Sequence, residues 1–388
     1  MKKFLSLVLA LVMTMSLVTV SAGAKEFKDD ADVNYDEAVA VISEIGVVDG
    51  DTNGNFRPTD NLSRGAAAKI ICNLILGPTT AAELHADTAP YKDVPVSNVF
   101  SGYIAYCAKE GIISGYADGS FRPAGTLTGY AFMKMLLGAL GYDSKNEGYT
   151  GANWSINVAK QAIGIGLNKG LTEEFNGVDF VTREEAALYA FNTLKATMVD
   201  YEQKITTTIN GVEVVISQGE EKPVTWTQGI NEDGNIKRDG FVQFAEEFFP
   251  KLECRKDSDD FMRPANNWVY DKTDIGTYVD RTLLVETYTE GVSGKEIYDL
   301  LKSGVIKDND LESYVDGANG TVKKDLLVRS NNKDLPGTGN GVVTKVYLDT
   351  DKDLITFVSI NTWLAQATAN YSESKEYAPL KVFTGKGG

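Results

Sequence analysis

Apolar positions fall into three successive patterns along the chain. The first is an almost unbroken apolar run from Phe4 to Val20, with Lys2 and Lys3 before it and Ala22-Gly23-Ala24 after it. A basic start, an apolar run and a small-x-small site describe a secretory signal cleaved after Ala24. A spanning helix needs ~20 predominantly apolar residues, whereas this run is interrupted by Ser6, Thr14, Ser16 and Thr19. No other stretch is apolar enough to cross a bilayer, so the mature chain is expected to be secreted. In the second pattern, apolar residues recur at helical spacing, as in Tyr103, Ile104, Tyr106, Cys107, Ala108 and Ile112, and again in Phe132, Met135, Leu136 and Leu140. After about Tyr201 the period changes. Ile205–Ile209, Asn210-Gly211 and Val212–Ile216 read as a β-hairpin with an Asn-Gly turn. Phe241–Leu252 and Gly294–Leu301 read as short helices. Val342–Leu348 and Leu354–Ile360 read as strands flanking the acidic turn Asp349–Asp353, and Lys381–Phe383 is strand-like.

The helical half is a repeat. Each copy has an apolar helix, a Gly-x-x-x-Gly pair, a turn, then Ser or Thr opening a second apolar helix. The copies run from Phe27 to Ile75, Tyr91 to Leu140 and, more worn, Tyr149 to Leu194; their glycine pairs are Gly46/Gly50, Gly111/Gly115 and Gly166/Gly170. Gly111 fits a helix C′ position, Ala117-Asp118-Gly119-Ser120 is turn chemistry, Phe121 is placed to plug the core, and Thr128 is placed to cap the next helix. One such helix pair cannot bury its apolar face alone, so three are expected to pack together.

These residues resemble the S-layer homology (SLH) family over about residues 25–200. The resemblance rests on the F/Y-K-D openings at Phe27 and Tyr91, the glycine pairs, N-G-N-F-R-P and D-G-S-F-R-P, and L-S-R or V-T-R before the second helix. It implies an all-α, three-pronged pseudo-trimer whose grooves bind secondary cell-wall polysaccharide, often carrying ketal-linked pyruvate, with the motif arginine on the carboxylate. The expected fold class is therefore multidomain α+β: a signal peptide (1–24), three SLH repeats (25–80, 81–142, 143–200) and a β-rich outer module (201–388). The end of the chain, at Gly385-Lys386-Gly387-Gly388, reads as a truncated module or a fragment of a larger protein.

Thr182-Arg183-Glu184-Glu185 forms a capping box that accounts for Thr182 and Glu185 without any ligand. Arg183 needs another reason, because a cation in the first turn opposes the helix dipole by ~0.3–1 kcal/mol. A docked anion would reverse that sign, drawing on free N–H groups and a charge-assisted contact. Arg64, after Ser63, invites the same reading, and a solvated side chain is the plain alternative for either. The second copy has Gly129 where the arginine should stand, so its groove is expected to bind weakly or to use another cation. The candidate polysaccharide-binding residues are Arg64, Arg183, Ser63, Thr182, Trp154, Gly111, Gly115, Asp29 and Asp93. Tyr35 and Phe100 occupy the place of Trp154 in the other copies, where core packing competes with sugar stacking. Arg57 and Arg122 are read as turn residues.

Composition narrows the function. The net charge of -16 disfavours nucleic acid, whose phosphates need clustered Lys and Arg. Wall binding must therefore come from a few placed cations. Cys72, Cys107 and Cys254 have unrelated spacings and fit neither a disulfide framework nor a zinc site; Cys72 and Cys107 read as buried small hydrophobes. His85 is the single histidine, which argues against Ser-His-Asp and Cys-His catalysis. Asp49–Asp60 mimics a calcium loop, but Pro58 lies inside it and Asp60 replaces the bidentate Glu. In the second half, Glu246-Glu247 reads as a solvated helix face, and Trp226, Trp268 and Trp363 read as core rather than sugar platforms. The expectation is a non-enzymatic cell-surface anchor without metal or cofactor, with self-association in a surface layer as a further possibility. A wall-tethered glycan hydrolase or an adhesin, active through residues 201–388 or beyond, is the alternative.

Overall fold

The computed structural model describes residues 25–202, 205–209, 212–217, 219–226, 235–369 and 379–383. The expected signal segment and the Asn210-Gly211 turn lie outside them. The helices are α1 (Asp36–Glu44), α2 (Arg64–Leu76), α3 (Pro78–Ala82), α4 (Ser101–Lys109), α5 (Gly129–Ala139), α6 (Trp154–Gly164), α7 (Arg183–Leu194), α8 (Phe244–Phe248) and α9 (Gly294–Asp308). Among the described residues no helix is long and apolar enough to cross a membrane. The described residues divide into two compact units: one holds those up to Arg255 together with Asn267–Gly276, the other holds Lys256–Asn266 and those from Thr277 onward.

In the first unit each repeat builds its helix ends identically. The first helix stops at a left-handed glycine: Gly46 (φ 77°), Gly111 (φ 72°) and Gly166 (φ 80°). At each, the glycine N–H returns to the carbonyl of Ser43, Ala108 or Ile163, and the next N–H reaches back to Ile42, Cys107 or Ala162. That is the Schellman pattern, in which the following apolar residue tucks against the helix; Val47, Ile112 and Leu167 are accordingly buried. The second helix starts at Ser63, Thr128 or Thr182, whose hydroxyl oxygen accepts from the N–H of Ala66, Ala131 or Glu185 at 3.2, 3.4 and 3.3 Å. The Thr182–Glu185 capping box is present in full.

The three helix pairs close into a ring. The second helix of each repeat packs on the first helix of the next: α2 on α4, α5 on α6, and α7 back on α1. Single β-bridges join the same neighbours, Ser63 with Thr126, Thr128 with Phe180, and Asn61 with Thr182. Glu184, buried in the first turn of α7, accepts from the Asn34 backbone and side chain at 2.8 and 3.0 Å ahead of α1. Cys72 and Cys107 meet across the α2–α4 contact with sulfurs 3.5 Å apart and both fully buried. Tyr35 and Phe56 are buried, and Phe121 plugs the core as the sequence suggests.

Strands follow the ring: β1 (Val199–Tyr201) pairs with β4 (Glu221–Pro223), and β2 (Ile205–Ile209) pairs with β3 (Val212–Ser217), both antiparallel. β5 (Leu252–Ser258), β6 (Pro264–Tyr270) and β7 (Thr273–Val279) form a three-stranded sheet in that order. The helix expected over Phe241–Leu252 is confined to α8, because Pro250 cannot continue it and β5 begins at Leu252. Glu246 is not solvated: it is 6% exposed and its carboxylate accepts from the N–H groups of Gln243, Ile236 and Lys237.

In the second unit β8 (Leu284–Tyr288), β9 (Asp310–Val315), β10 (Ala318–Asn319), β11 (Val342–Asp349) and β12 (Leu354–Asn361) form a sheet of order β10-β9-β12-β11-β8. All its pairs are antiparallel except β9 with β12. Ile297 and Leu301 of α9 join Val346, Ile355 and Phe357 in one cluster, while Tyr347, Val358 and Ile360 form another. Both sets alternate along β11 and β12, so the two faces of these strands are buried, which explains their near-continuous apolar sequence. α9 runs past the expected Leu301 to Asp308, with a left-handed break at Lys302 (φ 69°). β13 (Leu364–Ala367) and β14 (Leu380–Phe383) pair by themselves. Trp268 is fully buried, but Trp363 is 59% exposed, against the core position expected for it.

Candidate functional site

The Gly-x-x-x-Gly loops are held by the residues that open each repeat. The ring of Phe27 packs tilted against Phe56, and that of Tyr91 stacks on Phe121, each at 5.3 Å between centroids. The same rings press on the second glycine of the pair: a Cβ on Gly50 would lie 2.7 Å from Phe27, and one on Gly115 would lie 2.3 Å from Tyr91. Gly115 is therefore needed for close approach, whereas Gly111, whose Cβ would meet nothing within 4 Å, is needed for its positive φ. Asp29 accepts from the N–H groups of Phe56 and Arg57 at 2.6 and 2.7 Å, and Asp93 from those of Phe121 and Arg122 at 2.8 and 2.7 Å. Arg57 and Arg122 occupy left-handed backbone (φ 60° and 59°), so these carboxylates hold a strained turn in place. The N–H of Phe121, followed by that of Arg122, keeps Asp93 below the usual carboxylate range. For Asp29, burial pushes upward, and the N–H groups of Phe56 and Arg57 outweigh it. Asp29 and Asp93, expected at a ligand, thus spend their oxygens on the turn.

Both motif arginines also have protein partners. Arg64 Nε donates to the Phe121 carbonyl at 2.8 Å and Nη2 to the Ser114 carbonyl at 3.1 Å, with the guanidinium 4.3 Å from the Phe121 ring centre. Arg183 repeats the arrangement one junction on, donating to the Phe56 and Asp49 carbonyls at 2.8 and 2.9 Å. Each arginine staples the start of a second helix to the glycine loop of the next repeat. Burial pushes both guanidiniums below their ordinary 12.5, without threatening their charge at neutral pH.

The first-turn N–H groups are likewise taken. Those of Arg64 and Gly65 bond the carbonyls of Gly125 and Pro123, those of Gly129 and Tyr130 bond Asp179 and Gly177, and those of Arg183 and Glu184 bond Asp60 and Pro58. This corrects the expectation of free donors for an anion at these helix starts. Ser63 and Thr182 are committed too, since their hydroxyl oxygens cap the helices.

What the Arg64 staple leaves open is a cavity of about 400 Å³. Arg64, the loop Ile112–Tyr116 with Gly115, Lys134 from α5 and Trp154 at the start of α6 line it. Lys134 Nζ stands 5.8 Å from the Trp154 ring centre and has no carboxylate in ion-pair distance among the described residues; burial pushes its pKa down. The hydroxyl of Tyr149, also lining the cavity and 1% exposed, has no hydrogen-bond partner among the described residues. A half-desolvated ammonium, a guanidinium fork and an indole face together suit an anionic sugar.

Of the expected residues, the structure brings together Arg64, Gly115 and Trp154. Arg183 and Thr182 stand at another junction, and Asp29 and Asp93 lie in the turns. Lys134 and Tyr149 escaped sequence reading. Aligning the repeats would have flagged Lys134, because Lys69 follows Arg64 by five residues as Lys134 follows Gly129.

The S-layer homology domain model matches residues 26–68 and 90–129. The third helix pair lies outside both segments. The chain is 27% identical over 234 residues to the S-layer protein sap of Bacillus anthracis, covering 55% of this chain and 28% of that protein. It is 26% identical over 248 residues to the surface-layer 125 kDa protein of Lysinibacillus sphaericus, covering 59% and 20%. It is also 26% identical over 153 residues to an uncharacterized cell wall amidase of Bacillus anthracis, covering 38% and 28%. The chain thus spans less than a third of the length of these relatives. The chain thus carries two S-layer homology domains, at residues 26–68 and 90–129, and is homologous to bacterial S-layer proteins.

Proposed function

We propose that the ring anchors the chain non-covalently to an anionic secondary cell-wall polysaccharide, and that the sugar docks in the cavity between Arg64, Lys134 and Trp154. The observation that carries this reading is Lys134: a partly desolvated ammonium without a carboxylate in ion-pair distance among the described residues, facing an indole in a cavity of about 400 Å³. In a chain of net charge -16 such a cation is an unusual feature, and it suits a carboxylate on a sugar whose ring stacks on Trp154. Arg64 holds the cavity open through its two carbonyl bonds and presents its cationic face to it. The groups on offer recognise a ligand rather than transform one, so this region has an anchoring role. Self-association of the displayed chains in a surface layer is the corresponding arrangement outside the wall.

The amidase-named relative motivates a second reading, wall-tethered hydrolysis. One experiment addresses both. The full chain is pelleted with purified Gram-positive walls, before and after hydrofluoric acid strips their polysaccharide, and the supernatant is assayed for released amino groups. Anchoring predicts pelleting that needs the polysaccharide, no release of amino groups, and at least fivefold weaker binding for Lys134→Gln. Undiminished pelleting of that variant would remove the cavity from the function, and amino-group release would favour hydrolysis.

A further inference from the structure

The ring has three equivalent junctions, and their chemistry differs at the same positions. At the first, Arg64 meets the loop carbonyl of Ser114, and Lys134 stands free of any carboxylate among the described residues. At the second, Arg183 meets the loop carbonyl of Asp49 in the same way, and Lys69 takes the place of Lys134. Here the loop residue carries a carboxylate. Asp49 Oδ2 lies 3.8 Å from Lys69 Nζ, and its Oδ1 lies 2.8 Å from Lys25 Nζ. At the third, Gly129 and Leu188 stand where the other two have Arg and Lys.

From this comparison we infer that the carboxylate of Asp49 closes the Arg183 junction to anionic saccharide, leaving the Arg64 cavity as the one anion site of the ring. The inference rests on the docking function proposed above and adds what selects among the junctions. An incoming carboxylate at the second junction must displace Asp49 from Lys69 and then sit beside it, and two like charges within a few ångströms repel. At the first junction Ser114 imposes no such cost. Because Arg183 bonds the backbone carbonyl of Asp49, replacing its side chain leaves the staple intact.

The test is calorimetric titration of the full chain with a hexopyranoside bearing a 4,6-linked pyruvate ketal. The native chain should bind one equivalent, and Lys134→Gln should lower that affinity at least tenfold. Asp49→Ser, which copies position 114, and the isosteric Asp49→Asn should each bind two equivalents. The second site should persist in Asp49→Ser/Lys134→Gln. Thermal melts matching the native chain would show that the variants are folded. One equivalent in both Asp49 variants, or two in the native chain, would overturn the role of Asp49 while leaving saccharide binding standing. Silence from the native chain and all variants would instead reject the docking function and this inference with it.

Discussion

At position 93 one carboxylate satisfies two consecutive N–H groups in a turn that a non-glycine residue, Arg122, enters with positive φ. Asp29 does the same for the first repeat, and Asp118 supports the second turn from inside, its carboxyl pulled down to about 2 by hydrogen bonds from the Ser120 hydroxyl and N–H. Because the folded pKa values of these groups lie below their ordinary 3.8, their stabilisation is complete above that value and drains away as pH falls through the folded pKa. The ring should therefore lose stability between about pH 5 and pH 2. Asp93→Asn should be less stable at neutral pH and show a shallower acid decline, measured as urea midpoint against pH. Parallel curves for the variant and the native chain would mean that Asp93 does not hold the turn.

At the scale of helices and loops, the two arginines act first as staples. Each contributes two charge-assisted bonds to backbone carbonyls and a stacked ring, and its loss would leave those carbonyls to solvent. Arg64→Ala and Arg183→Ala are each expected to destabilise the ring by about 1–3 kcal/mol, read from denaturant unfolding. Lysine in either place, a point charge without the fork, should recover only part of that. Unchanged midpoints would return both arginines to the status of solvated or purely ligand-binding side chains. The repeat motif gave the position of each arginine; it gave no hint that the partners were carbonyls more than a hundred residues away in the case of Phe56.

At the scale of the molecule, closure is what makes three marginal helix pairs into one body. Since α7 packs on α1, deleting residues 143–200 should strip protection from the amides of α1 in hydrogen exchange, while the α2–α4 contact keeps its own. Equal protection of α1 with and without the third pair would show an open array instead of a ring. The sequence by itself determined much of the local order: the glycines that stop helices, the Ser and Thr caps, and the strands over Val342–Asp349 and Leu354–Asn361, because each depends on neighbours within a few positions. It also determined that three units must share a core, since no single apolar face could be buried alone. Tertiary structure alone decided which repeat each helix embraces and which junction keeps a cation unpaired among the described residues. Lys69 and Lys134 are equivalent in sequence, yet one faces Asp49 and the other faces Trp154 across an open cavity. Charge acts through space, so the value of a cation is set by what the fold brings opposite it.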